Sequence, residues 1–230
     1  MTSLAGKHIL VTGASGGLGS HVVRLLVESG ASVSLAGRNE TSLTSIAPAS
    51  ARYTIDLATP GAARALVDAV VAQTPLDGVI ALHGAVAFGA ATEVPAEVTR
   101  SLTAINLDSV VELIGAAAPS LTASAQAQRD PFIVTVSGVI ADMPTTGMAS
   151  YGASKAGLKA FVQAASRELR RSGIRLLDAR PGHTNTQLSQ HPLWGSAPAM
   201  PAGLAPEAVA QRIVDAIVND EKDVPADAFS

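Results

Sequence analysis

Tyr151 and Lys155 are the residues of this chain best suited to chemistry. The run Tyr151-Gly152-Ala153-Ser154-Lys155 sets a phenol and an ammonium four residues apart, which on a helix turns both to one face. Leu158, Val162, Ala165 and Leu169 continue that face and are apolar, so the pair opens a helix with a buried side, at the edge of a cleft. Free tyrosine titrates near ~10 and exchanges protons poorly at neutral pH. An ammonium ~5 Å away, at an effective dielectric of ~20, stabilises phenolate by roughly 3 kcal/mol, around two pK units. The spacing therefore suits acid–base catalysis. The alternative is a surface tyrosine and lysine on a solvated helix.

A second constellation lies near the N-terminus. Thr12-Gly13-Ala14-Ser15-Gly16-Gly17-Leu18-Gly19 follows the apolar run His8 to Val11 and opens a helical pattern near Leu18. A strand, a glycine-rich turn and a helix start make a seat for a pyrophosphate: backbone N–H groups point outward, the helix dipole favours negative charge, and glycines admit the phosphates. Glycines alone are weak evidence; between a strand and a helix they become a dinucleotide signal.

The elements that must position these residues alternate along the chain. Short apolar runs predict strands at 8–12, 32–36, 51–55, 78–82, 132–136 and 175–179, with a weaker seventh near 223–226. Helical patterns lie between them at 18–29, 40–46, 60–73, 98–121 (two pieces, broken near Asn106), 151–172 and 207–219. Gly30 and Gly173 read as helix ends and Thr59-Pro60 as a helix start. Such alternation predicts an α/β fold: a Rossmann-type, doubly wound parallel sheet of about seven strands with helices on both faces. With 230 residues and no linker, a single domain over 1–230 is expected. The irregular stretch from Gly182 to Pro206 is long enough to be functional, and a substrate lid over about 183–206 is expected.

Composition narrows the partners. Hydrophobic residues make up 47% of the chain and charged residues 15%, with a formal net charge of −3 and no basic block. A packed core is expected and nucleic acid is not. Cysteine is absent, which excludes disulfides, a thiol nucleophile and cysteine metal sites; no metal is expected. Met1 to Lys7 lacks a signal-peptide pattern, and no uninterrupted apolar run approaches the ~20 residues that span a bilayer. No membrane partner is expected, and the default address is the cytoplasm.

Four motifs in order then give a resemblance over nearly the whole length. The T-G-x-x-x-G-x-G turn at Thr12–Gly19, Asn106 in Ile105-Asn106-Leu107, the Y-x-x-x-K pair and the P-G-x-x-x-T segment from Pro181 to Thr186 are similar to those of the short-chain dehydrogenase/reductase family. The resemblance implies hydride transfer between a carbonyl and an alcohol, with Tyr151 as general acid/base. It implies that Lys155 binds the nicotinamide ribose and lowers the tyrosine pKa, and that Asn106 holds a relay water. Gly13, Ser15, Gly17, Leu18 and Gly19 would seat the dinucleotide, and Asp56 with Leu57 its adenine. Gly84 would admit the ribose side, and Pro181, Gly182, Thr184 and Thr186 would fix the carboxamide. Family members commonly form dimers or tetramers through the helices equivalent to 106–121 and 151–172.

The pattern is broken in two places. The serine usual thirteen residues before the tyrosine is Gly138 here, with Ser137 just before it. Neighbouring strand side chains point to opposite faces, so Ser137 replaces that serine only through a twist or bulge, which Gly138 could permit. The expectation is that Ser137 substitutes; otherwise the role is empty. The family's N-N-A-G stretch reads Ala81-Leu82-His83-Gly84, losing two asparagines that tie strands together. His83 could touch cofactor or substrate, though a histidine at a strand end is more often a hydrogen-bonded structural residue; the same holds for His183.

The coenzyme is read from Leu35-Ala36-Gly37-Arg38-Asn39. NAD-preferring folds place a carboxylate at this strand end for the ribose 2′-OH. Gly37 stands there instead and Arg38 follows, a guanidinium suited to a 2′-phosphate. NADP(H) is expected over NAD(H). Leu188, Leu193, Trp194, Met200 and Leu204 in the lid suit an apolar carbonyl or alcohol substrate, or a subunit interface. A different reading remains: with the serine displaced and the asparagines lost, the protein would be a dinucleotide-binding sensor or scaffold with little or no turnover.

Overall fold

Apolar runs without a polar alternation can be strands only if both faces are covered, and the four central strands here are covered on both. The computed structural model describes residues 1–46 and 48–229; Ala47 and Ser230, which the single-domain expectation includes, lie outside them. The strands are β1 (His8–Thr12), β2 (Ser32–Gly37), β3 (Ala51–Thr54), β4 (Gly78–Ala81), β5 (Phe132–Val136), β6 (Arg175–Ala179) and β7 (Asp223–Val224). The helices between them are α1 (Gly19–Glu28), α2 (Glu40–Thr44), α3 (Ala62–Val71), α4 (Ala96–Thr103), α5 (Ser109–Gln126), α6 (Ala149–Leu169) and α7 (Pro206–Val218). One parallel sheet runs in the order β3-β2-β1-β4-β5-β6-β7. The chain changes winding direction between β1 and β4, and the crevice beyond the carboxyl ends of those strands is where open sheets of this kind bind ligands.

Each face of the sheet has its own apolar layer. On one, Val22 and Leu26 of α1 and Ile213 and Ile217 of α7 pack on Ile9, Val11 and Val134. On the other, Leu66 and Val70 of α3, Leu113 and Leu121 of α5, and Leu158 and Val162 of α6 pack on Leu10, Val79 and Ile133. The first helix ends at Gly30, whose φ of +82° is left-handed, as its position predicts.

The expected break near Asn106 is not a break. Helix α4 passes through a π turn at Ala104–Asp108 directly into α5. The wider turn inserts one residue's worth of rotation without ending the helix, a feature that hydrophobic periodicity registers only as a phase error. The third helix starts at Ala62, after a left-handed Gly61, and not at Pro60. The run Ala96–Gln126 is long and apolar enough by composition to cross a membrane, but Leu102, Leu113, Ile114, Ala117 and Leu121 are buried against the protein itself.

Asp77, just before β4, fastens the far edge of the sheet. Its carboxylate accepts from Arg129 Nε at 2.6 Å and Nη2 at 2.5 Å, from Ser124 Oγ at 2.6 Å and from the backbone N–H of His8 at 2.9 Å. Burial alone would raise its pKa, but the bonds from Arg129, Ser124 and His8 outweigh it and hold the carboxyl down to about 2. A carboxyl lowered on folding stabilises the native state above its unfolded pKa and loses that contribution as pH falls through the folded value. The shift corresponds to about 2 kcal/mol. Asp77→Asn is expected to remove that slope between about pH 4 and 2; urea unfolding across this range measures it, and an unchanged acid limb contradicts the assignment.

Candidate functional site

The glycine turn joins β1 to α1 in a conformation that its sequence alone permits. Gly13 has φ +67°, and a Cβ there would stand 2.6 Å from the His83 nitrogen, so the turn lies directly against the end of β4. Helix α1 begins with no side-chain cap and no acid in its first turn. Ser20 N–H already donates to Gly16 O at 3.1 Å, while the N–H groups of Gly17, Leu18 and Gly19 have no partner among the described residues and suit an external anion. A cleft of about 690 Å³ lies over them, lined by Ser15, Gly16, Gly17 and Ser20 on one side and by Asn185, Thr186 and Gln187 on the other. Those features fit a dinucleotide pyrophosphate. Thr186 packs on the turn, its Cβ 3.0 Å from where a Cβ on Gly17 would lie.

At the end of β2, Arg38 is exposed and pairs with no carboxylate among the described residues. A Cβ on Gly37 would come within 3.2 Å of both Leu43 Cδ2 and Ser15 Oγ, leaving little space for an acidic side chain. Asp56 is exposed after β3 and accepts from the Ala58 N–H at 3.0 Å, with Leu57 buried beside it.

Tyr151 and Lys155 stand on the first turns of α6, outside the lining of that cleft. Tyr151 is half-buried, while Lys155 is only 7% exposed and its Nζ donates to the Val136 carbonyl at 2.8 Å. Gly84 faces them: a Cβ on it would lie 3.6 Å from Lys155 Nζ and 3.1 Å from Asn106 Oδ1. Asn106 is fully buried in the π turn. Its amide donates to Ala85 O at 2.9 Å and to Ser154 Oγ at 3.0 Å, and its Oδ1 accepts from the Ala85 N–H at 2.9 Å. Asn106 thus ties the segment after β4 to the α6 turn that carries Tyr151 and Lys155.

The electrostatics correct one expectation. The Tyr151 phenol is not lowered by its neighbour; burial pushes it up to about 12. Burial likewise lowers Lys155, to about 8, against the raising effect of Asp178. The ammonium is turned onto a backbone carbonyl, and the phenol keeps its proton across the neutral range.

The family model for short chain dehydrogenases matches residues 7–193, taking in the glycine turn, Asn106 and the Tyr151–Lys155 pair. The chain belongs to that family. It is accordingly an oxidoreductase of the NAD(P)-dependent dehydrogenase/reductase kind. Among its relatives are a 2,3-dihydro-2,3-dihydroxybenzoate dehydrogenase of Escherichia coli, 31% identical over 84% of this chain and 75% of that one, and an oxidoreductase of Staphylococcus epidermidis, 28% identical over 95% and 92%. In fold the chain is similar to a short-chain dehydrogenase from Burkholderia cenocepacia solved with NADP, at TM-score 0.83 and 22% identity over 98% and 90%. It is also similar to a 3-ketoacyl-(acyl-carrier-protein) reductase from Brucella melitensis solved with NADH, at TM-score 0.86 and 20% identity over 99% and 100%.

As a short-chain dehydrogenase the chain departs from its family at Gly138, and Ser137 does not replace the missing serine as expected. Ser137 is fully buried and its hydroxyl donates to Asp178 Oδ2, so it is engaged inside the sheet and cannot polarise a substrate carbonyl. The strand does not twist to bring it round. Gly138 instead takes φ +76° and ψ 162°, a region essentially restricted to glycine. The His83 ring settles its own alternatives. Ser109 Oγ donates to Ile105 O at 2.7 Å and so accepts from His83 Nε2 at 2.8 Å, leaving Nδ1 to accept from Thr12 Oγ1 at 2.6 Å. Burial and then the Lys155 charge hold this histidine down to about 4, so it stays neutral. His83 bridges β1 to α5 and thereby does the tying that the missing asparagines would do.

The segment after β6 is pinned at its root and its tip. Pro181 is buried and its carbonyl accepts from the Val139 N–H at 3.0 Å, while Thr184 Oγ1 donates to Gly182 O at 3.1 Å. Asn185 closes a pair of bonds with Gly203 at 3.1 and 3.0 Å. Farther out, Leu193 N–H donates to Val86 O at 2.8 Å and Phe88 N–H to Trp194 O at 2.9 Å. Leu188, Leu193 and Trp194 remain 41%, 39% and 45% exposed. Sequence reasoning missed Asp178, although a lone acid in the apolar run Leu176-Leu177-Asp178-Ala179 was a visible signal. Gly138→Ser, which restores the family's residue type, is expected to destabilise the protein by about 1–3 kcal/mol because of its backbone angles. Equal urea midpoints for variant and parent would contradict this.

Proposed function

We propose that the protein is an NADPH-linked reductase of apolar carbonyl compounds, working reversibly on the corresponding alcohols, with Tyr151 as its general acid/base. The observation that carries the reading is the Tyr151–Lys155 pair on α6, opposite Gly84 and braced by Asn106, at the carboxyl edge of the sheet. A phenol held up to about 12 by burial is a proton donor at neutral pH, the form that reduction requires.

Ser15, Gly17, Leu18 and Gly19 would hold the pyrophosphate, Arg38 the 2′-phosphate, Asp56 and Leu57 the adenine. Gly84, Lys155, Pro181, Gly182, Thr184 and Thr186 would hold the nicotinamide half. NADPH, when bound there, would supply the hydride for the carbonyl carbon. The chain's part is to place the carbonyl oxygen against the Tyr151 hydroxyl, which gives up its proton as the alcohol forms. Lys155 supports the resulting phenolate and restores its proton, with Asn106 on the route to solvent. Segment 183–206 forms the lid, and its exposed Leu188, Leu193 and Trp194 favour a substrate with hydrocarbon character. With Gly138 at the family's serine position, the phenol carries the polarisation of the carbonyl.

Since proteins of this fold are solved with NADP as well as NADH, the coenzyme reading rests on unpaired Arg38 and on the crowding at Gly37. A second copy would pack on α5 and α6, where exposed Gly115 leaves open space beside its Cα.

Turnover of a carbonyl panel, followed as NADPH oxidation, tests the reading. Tyr151→Phe is expected to lower kcat by about 10²-fold or more while NADPH still binds. Tight NADPH binding without turnover across the panel would favour the sensor reading instead. Arg38→Ala is expected to weaken NADPH about tenfold or more and to leave NADH nearly unchanged; isothermal titration with both coenzymes measures this, and equal losses contradict it.

A further inference from the structure

One peptide group separates the two buried charges nearest this site. Lys155 Nζ donates to the Val136 carbonyl at 2.8 Å, and the Ser137 N–H at the other end of the same amide donates to Asp178 Oδ1 at 3.2 Å. Ammonium, amide dipole and carboxylate run head to tail. Asp178 is 3% exposed and also accepts from Thr135 Oγ1 at 2.8 Å and from the Ser137 hydroxyl. Arg180 Nη1 stands 3.4 Å away, but its guanidinium makes closer bonds to Asp142 at 2.7 Å and to Asp223 at 2.5 and 2.8 Å. A carboxylate sunk in a sheet is costly unless hydrogen bonds and charge compensate it, and nothing in the proposed chemistry uses this one.

We propose that Asp178 is a positioning residue for Lys155, acting through the Val136–Ser137 amide to keep the ammonium charged and anchored at the floor of the site. The proposal rests on the reading that Lys155 works beside Tyr151. A cation at the carbonyl end and an anion at the N–H end polarise the amide in the same sense, so each strengthens the other's hydrogen bond. Among the charges that act on Lys155, Asp178 is the one opposing the lowering by burial.

The remaining groups around it do not take that part. Tyr151 on the same helix and His83 after β4 are neutral at pH 7, held at about 12 and about 4. Arg180 just after β6 and Lys159 on α6 are cations that share Asp142. From the adjoining helices, Glu97, Arg100 and Asp108 are exposed and Glu112 is half-buried. Neutralising Asp178 therefore removes a raising influence, and the Lys155 midpoint must fall.

The chain has four lysines, Lys7, Lys155, Lys159 and Lys222, few enough to follow individually. Lysine ε-carbons labelled with ¹³C are titrated by NMR in the protein without coenzyme or substrate, with Lys155→Arg providing the assignment. Lys155 is expected to titrate near pH 8 in the parent, and the Ser137 amide nitrogen to move with the same midpoint. In Asp178→Asn the Lys155 midpoint is expected to drop by about one unit or more. Ser137→Ala, which keeps both the amide and the carboxylate, is expected to shift it by less than about 0.5 unit. A folded Asp178→Asn protein with an unmoved Lys155 overturns the proposal. So does a Ser137 amide that stays silent while Lys155 titrates in the parent, a result that needs no variant. Because the measurement involves no turnover, coupled midpoints in a protein that reduces no carbonyl would refute the functional reading and uphold this one.

Discussion

In a sheet whose strands all run one way and whose central strands are covered by helices on both faces, those strands offer no exposed side chain, and exposed ones are confined to Ser32, to β3 and to Asp223. Polar chemistry is left to the edge where the strands end and the helices begin. Here that edge gathers the glycine turn after β1, Gly37 and Arg38 after β2, Gly84 after β4, Ser137 and Gly138 after β5, and Pro181 and Gly182 after β6. The helix that follows β1 starts uncapped at the same edge, so the oriented backbone and the free guanidinium favour anions there. The site follows from how the sheet is wound.

Building a site at such an edge puts charge next to a dry core, and much of the local polar structure compensates for it. Lys155 is nearly enclosed and finds a backbone carbonyl. Asn106 is buried and His83 half-buried, both with their side-chain hydrogen-bonding atoms paired, the first to the segment after β4 and to α6, the second to β1 and α5. These bonds also fix geometry. Pairing Asn106 to Ser154, which sits between Tyr151 and Lys155, sets the rotation of α6 about its axis relative to the end of β4. The π turn contributes to this by carrying Asn106 inward.

Legibility differed by kind of feature. Strands β1, β5 and β6 match their sequence-based spans at both ends, because an apolar run bounded by turn residues has few other stable fates. Motif spacing located Tyr151, Lys155, Asn106 and the glycine turn in the regions where the fold brings them. Periodicity, however, could not tell a π turn from a helix break at Asn106, since both shift the phase of the apolar stripe. Nor could alternation decide Ser137: it gave the opposite-face argument correctly, but the hydroxyl's partner, Asp178, lies on a strand forty-one residues later. The phenol's environment was misjudged for a related reason. A pairwise charge estimate assumed that Lys155 points at Tyr151, whereas burial dominates and the ammonium turns to Val136.

Taken by itself, the order of residues determined the alternation of strands and helices, the parallel sheet, the family and the identities of the groups that gather at its edge. These rest on local patterns and on short spacings that a helix or a turn converts directly into position. Which of those groups face one another, which are dry, and which are already engaged was decided only by the tertiary structure. Side-chain partners such as Ser137 with Asp178, or His83 with Thr12 and Ser109, join elements remote in the chain, and the desolvation that moves Tyr151 and Lys155 from their ordinary pKa values exists only once those elements have packed.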